Sequence, residues 1–193
     1  MQVQRAKIRE VYSLARPFLN TRHNDIHTVI SYGYALRLLR DEGGDRETVI
    51  PAILLHDVGW SSVPEHLQLT AFGPNPTNPA LNRVHEVEGA RLARDILRQA
   101  TYDEQKIEEI AEIIVGHDSR LEALSLNDMV VKDADKLYRF SRWGFAIDVK
   151  RFRRDPVVHL QWLGQQIDRW FFTARAMALA RGRILAEQSD NLF

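Results

Sequence analysis

Ile53-Leu54-Leu55-His56-Asp57-Val58-Gly59 sets an imidazole and a carboxylate directly on the end of an apolar run that predicts a buried helix. Burying those two groups is costly unless something pairs with them, and a metal ion is the usual partner. Outward from this pair, His27 lies upstream, and His85, His117 and Asp135 lie downstream. Each stands in, or at the end of, a stretch with helical apolar spacing. Separate helices that each deliver a nitrogen or oxygen donor to one centre are how a helical domain builds a metal site.

The rest of the chain predicts an all-α fold. A first helix covers about Val3 to Arg16 and stops before Pro17. Asn24 or Asp25 can cap a second, with Ile26, Val29, Ile30, Ala35, Leu36, Leu38 and Leu39 as its apolar side. A third runs from about Arg46 to Val58. Others follow from Asn82 to Arg98, from the cap Asp103 to Gly116, and around Val130, Val131, Ala134 and Leu137. One long last helix, about Pro156 to Ala186, carries Leu160, Leu163, Ile167, Trp170, Ala174, Met177 and Ile184 at three-and-four spacing. That stripe reads as core and also suits a homodimer seam.

Residues 60 to 80 differ, with Pro64, Pro74, Pro76 and Pro79 in a long irregular connection between His56-Asp57 and His85. Its position makes it a lid or wall of a cleft, with Trp60, His66 or Phe72 facing the cavity. Trp143, Trp162, Trp170, Phe171 and Phe172 are expected in the core. His159 is expected on the surface near a helix start, His23 in a loop, and Lys150 to Arg154 in a solvated turn.

Composition narrows the class. The 193 residues suit one domain: a core of about 20–140, a helical extension of about 141–193, and the lid loop 60–80. Lys plus Arg number 26 and Asp plus Glu 26, so no overall field draws nucleic acid or an anionic membrane. With no cysteine, disulfides, thiolate zinc sites and Cys nucleophiles are excluded, and a cytoplasmic location is weakly favoured. The opening Met1-Gln2-Val3-Gln4-Arg5-Ala6-Lys7 has no apolar signal core, and no apolar run is long enough to span a bilayer.

Five segments then occur in a telling order: Asp25-Ile26-His27-Thr28-Val29, Leu54-Leu55-His56-Asp57-Val58-Gly59, His85-Glu86-Val87-Glu88-Gly89-Ala90, Gly116-His117-Asp118 and Asp133-Ala134-Asp135-Lys136-Leu137. Over about residues 24 to 140 the chain resembles the HD-domain metal-dependent phosphohydrolase superfamily. The resemblance implies an HD-type helical bundle holding one or two divalent transition-metal ions (Fe, Mn, Co, Ni or Zn). In its two-metal pattern His27, His56 and Asp135 would hold one ion, His85 and His117 the second, and Asp57 would bridge them. Asp133 and Asp135 point to nearly opposite sides of a helix, so only one can face the site. The family's Ala-Asp-x-Leu context selects Asp135. Asp118 is read as an acid that orients a ligand imidazole.

The implied activity is hydrolysis of a small phosphorylated substrate, such as a nucleotide, by a metal-bound hydroxide. Asp57 would position the metals, and Lys136 would neutralise substrate charge. Some two-metal relatives carry a Lys shortly after the His-Asp pair; here Val58-Gly59-Trp60 follows, leaving Lys136, Arg139 and Arg83 as substitutes. The Gly-Tyr-Pro motif of the cyclic-dinucleotide phosphodiesterases is absent. Two other readings stay open: a di-iron oxygenase built on the same six ligands, and a metal-binding regulatory module.

Overall fold

Caps and apolar faces set the element boundaries. The computed structural model describes residues 2–190, with side chains for residues 4–187. Met1 and the side chains of Gln2 and Val3 lie outside the described residues. The helices are α1 (Gln2–Ala15), α2 (Asn24–Glu42), α3 (Arg46–Leu55), α4 (Glu65–Gln68), α5 (Ala80–Gln99), α6 (Glu104–Ile114), α7 (Leu126–Leu137), α8 (Arg142–Arg151), α9 (Pro156–Trp170) and α10 (Ala174–Asp190). No strand occurs among the described residues, and no helix among them is long and apolar enough to cross a membrane.

Short polar side chains start half of these helices. Asp45, Asp103, Ser125, Ser141 and Asp155 each accept backbone N–H groups at the starts of α3, α6, α7, α8 and α9. α4 and α5 follow a proline and have no side-chain cap, and α2 has none either. Neither Asn24 nor Asp25 caps it; His23 does so in a left-handed conformation at φ 62°, with no side-chain hydrogen bond. Its buried stripe is Asn24, Thr28, Ser31, Ala35 and Leu38, while Val29 is exposed.

α3 is the centre of the molecule. From Thr48 to Leu55 every residue is buried, because α1, α2, α6 and α7 surround it. It therefore delivers His56 and Asp57 into the interior. The chain continues as a 3-10 turn, Val58–Ser62, that lies hard against α5. A Cβ added at Gly59 would sit 1.9 Å from the His85 carbonyl oxygen and 2.4 Å from the Gly89 nitrogen. That close backbone contact brings α5, and with it His85, beside the His56-Asp57 pair.

The C-terminal region corrects the expectation of one long helix. α9 stops at Trp170, Phe171 is extended at φ −101° and ψ 140°, and α10 starts at Ala174. The cause is Asp133. Its carboxylate accepts from Phe172 N at 2.9 Å, Thr173 N at 2.9 Å and Thr173 Oγ1 at 2.7 Å, so a buried acid on α7 caps α10. The break shifts the apolar register: Ala176 and Ala180 are buried, and Ala174 is exposed. Residues 142–151 form α8, for which no helix was expected, and its Trp143 is 66% exposed rather than core. His159 is fully buried, between Phe145 and Trp162, rather than on the surface.

Two substitutions test this packing. Gly59→Ala drives a methyl into the backbone of α5, which has no flexible end to give way, and should lower stability by about 3 kcal/mol. Asp133→Ala strands buried donors at the start of α10 and should cost at least about 2 kcal/mol. Chemical unfolding of each variant against the parent measures both.

Candidate metal centre

Five elements converge on one point. His27 comes from the first turns of α2, His56 and Asp57 from the end of α3, His85 from α5, His117 from the turn after α6, and Asp135 from α7. His27 Nε2 and His56 Nε2 are 2.8 Å apart, and Asp135 Oδ1 lies 3.2 and 3.6 Å from them. His85 Nε2 and His117 Nε2 are 3.4 Å apart. Asp57 stands between the two pairs. Its Oδ2 is 3.5 Å from His27 Nε2 and 3.8 Å from His56 Nε2; its Oδ1 is 3.9 Å from His85 Nε2 and 3.8 Å from His117 Nε2. All six side chains read from the sequence meet here. Asp133 faces the other way.

The rings are aimed by their far nitrogens. His56 Nδ1 lies 2.8 Å from the Ile53 carbonyl and His117 Nδ1 2.8 Å from the Ile114 carbonyl, so each Nδ1 donates its proton to backbone. Each Nε2, once it carries no proton, presents a lone pair to the cluster. Lone pairs facing carboxylate oxygens repel one another unless a cation lies among them. A divalent transition metal fits this donor set, which mixes imidazole nitrogen with carboxylate oxygen. His85 is placed differently: its ring stacks on Trp60 at 4.0 Å and 12°, and the Trp60 indole N–H donates to Asp57 Oδ1 at 3.0 Å.

The turn bearing His117 and Asp118 is stapled from both sides. Glu86, fully buried on α5, accepts from Asp118 N, Ser119 N and Ser119 Oγ at 2.9, 2.8 and 2.6 Å. Lys132, buried on α7, donates to the Gly116 and Arg120 carbonyls at 2.6 and 2.8 Å. The orphan N–H and C=O groups beyond α6 are thus satisfied by two charged residues that sequence reasoning passed over. Glu86 stands next to His85 in a quoted segment, and that adjacency was the available signal.

A cavity of about 260 Å³ opens onto the centre at His27, Asp57, Asp118 and Asp135. Arg22, Lys136, Arg139 and Arg151 line it. Of the substitutes named from sequence, Lys136 and Arg139 reach it. Arg83 does not, because its guanidinium turns to the Val115 carbonyl and Glu86. Arg22 was missed, and Arg151 was placed in a solvated turn rather than in the cavity. Arg22 is left-handed at φ 51°, and Arg151 holds its carbonyl at 2.7 Å. Trp60, Ala71, Phe72 and Gly73 form one wall, while His66 is exposed and away from the cavity.

Burial and charge oppose each other throughout the cluster. Burial alone would lower His117, but Asp118 and Asp57 outweigh it and hold the imidazole up at about 9. Burial and the neighbouring His117 push His85 down to about 4. Burial raises a carboxylate, yet His56, His117, His27 and Arg22 keep Asp57 well below its ordinary range. Without an ion, His117 is therefore protonated at neutral pH, and an ion must displace that proton. Apparent metal affinity should rise by up to tenfold per pH unit for each proton displaced, from pH 7 to about 9, and then level off. Calorimetric titration with Zn²⁺ at pH 7, in buffers of different ionisation enthalpy, should count at least one proton released.

The family model described as HD domain matches residues 24–139, a span that contains all six of these side chains. The structure is similar to the crystal structure of a predicted HD superfamily hydrolase from an uncultured Thermotogales bacterium. That likeness has a TM-score of 0.63 and 21% sequence identity, and covers 95% of this chain and 90% of that one. At this identity it speaks to the fold. No curated protein matches the sequence closely. The fold, the order of the five segments and the family match agree: this chain belongs to the HD domain family.

Proposed function

We propose that the protein is a metal-dependent hydrolase of a small phosphoester, with a nucleotide or another phosphorylated metabolite as its substrate class. The observation that carries this reading is the cavity: four cationic side chains line a pocket whose floor is the histidine–aspartate cluster. In this reading His27, His56, Asp135, His85 and His117 would hold two divalent ions, with Asp57 shared between them. Ions bound there would activate water and draw electron density from the phosphoryl group.

The chain's own residues do the rest. Arg22 reaches the floor of the cavity, with its Nη2 3.5 Å from Asp57 Oδ2. Arg139 and Arg151 share the buried Asp148, at 2.5 and 3.2 Å, which fixes both guanidinium groups. The Arg22, Arg139 and Arg151 guanidinium carbons lie 4.6, 5.7 and 5.7 Å from the Phe72 ring centre, so one aromatic side chain gathers three cations. Such a group takes an anion by charge-assisted hydrogen bonds. Lys136 adds a fourth charge. Burial and Asp148 push Tyr138 up to about 12, so its phenol stays protonated and can donate to a substrate oxygen. The 71–79 segment covers the cavity as a wall that excludes bulk water.

Manganese-loaded protein should release inorganic phosphate from at least one member of a panel of phosphomonoesters and nucleotides. On that substrate Arg151→Met should raise KM by about tenfold or more at unchanged metal content, the loss expected for one charge-assisted contact. A product that forms only with iron and oxygen would replace this reading with the oxygenase one.

A further inference from the structure

We infer that Asp118 is a seventh ligand of the centre, the terminal carboxylate of the His85–His117 half, and that Lys136 fixes it there; this rests on the two-metal reading above. Asp118 Oδ2 lies 3.6 Å from His85 Nε2 and 3.7 Å from His117 Nε2. Together with Asp57 Oδ1, these atoms make a cage of two nitrogens and two carboxylate oxygens, with nitrogen–nitrogen and nitrogen–oxygen separations of 3.4 to 3.9 Å. The other half is built alike: His27, His56, Asp135 Oδ1 and Asp57 Oδ2, with the corresponding separations of 2.8 to 3.8 Å. A tetrahedral ion with bonds of about 2.0–2.2 Å sets its donors about 3.3–3.6 Å apart. These separations bracket that spacing, and only with Asp118 does each histidine pair face two carboxylates.

An acid that orients an imidazole from behind would meet Nδ1. Asp118 does not. The His117 Nδ1 is taken by the Ile114 carbonyl, and the His85 Nδ1 has no hydrogen-bond partner. The Asp118 oxygen lies on the Nε2 side, where Asp57 also lies. Its backbone is held there, since its N–H donates to Glu86. Lys136 completes the symmetry. Its ammonium pairs with Asp118 Oδ1 and with Asp135 Oδ2, the two oxygens that do not face histidines. One lysine thus clamps the outer oxygens of both terminal carboxylates and leaves each inner oxygen aimed at its own histidine pair.

Elemental analysis of the full chain loaded with Zn²⁺ or Mn²⁺ tests this without an assay of activity. The parent should hold two ions. Asp118→Ala and the near-isosteric Asp118→Asn should each hold one, with affinity for the second ion down at least about a hundredfold. Anomalous scattering from crystals should place the remaining ion between His27 and His56. Lys136→Met should keep both ions with affinity lowered about tenfold, as expected when a group that orients ligands is removed. Circular dichroism of the metal-free variants checks the fold, and Asp118→Asn serves if the alanine variant does not fold. Two ions at parental affinity in Asp118→Asn would overturn the assignment, as would loss of both from a folded variant. A parent with one ion that Asp118→Asn leaves in place would also overturn it. A parent that binds fewer than two ions would end the two-metal reading itself, while two parental ions untouched by Asp118→Asn would end only this one.

Discussion

The structure depends on a single buried carboxylate. Asp57 is 6% exposed, surrounded by four imidazoles and the Arg22 guanidinium, and its two oxygens face two different histidine pairs. A charge so far from water has to be compensated by its neighbours. From Thr48 to Leu55 α3 is buried throughout, which puts the residues that follow it in the middle of the molecule. The helices that cover α3 bring the compensating groups with them. Core packing and site assembly are therefore one event.

Around that charge several buried polar groups hold backbone and side chains in place. Glu86 and Lys132 seize opposite sides of the same turn, Asp133 starts α10, and Asp148 anchors Arg139 and Arg151. None of these four faces the histidine cluster. The first three satisfy donors or acceptors that helix ends and turns would otherwise leave bare in the interior, and Asp148 holds two guanidinium groups. Rigidity of this kind suits a centre whose donor atoms must stay a few ångströms apart despite mutual repulsion.

Charge is arranged in two layers. The inner layer, carboxylates and imidazoles, suits cations. The outer layer, Arg22, Arg139, Arg151 and Lys136, lines the cavity and suits anions. The two layers touch at Arg22 and Lys136, whose charges reach Asp57 in one case and Asp118 and Asp135 in the other. An overall charge balance of 26 against 26 conceals this separation.

By itself the sequence determined the helical class, most helix starts and the six side chains that meet. Apolar spacing and short polar caps are local signals, and the His-Asp pair at the end of an apolar run is legible without a partner. Helix geometry lets only one of Asp133 and Asp135 face inward, and the resemblance to the HD family, through its Ala-Asp-x-Leu context, pointed to Asp135. Other features are contacts between segments distant in sequence, and only the tertiary structure decided them. The long last helix breaks because Asp133, some forty residues earlier, outbids helical continuation at Phe171 to Thr173. His159 is buried and Trp143 exposed because α8, whose helical pattern is weak, packs with one face only. Arg22 and Arg151 enter the cavity through a left-handed backbone and a hydrogen bond across 129 positions, neither of which periodicity encodes. Which oxygen of Asp118 faces a histidine and which faces Lys136 is likewise a matter of three elements packed together, and no stretch of sequence read alone contains it.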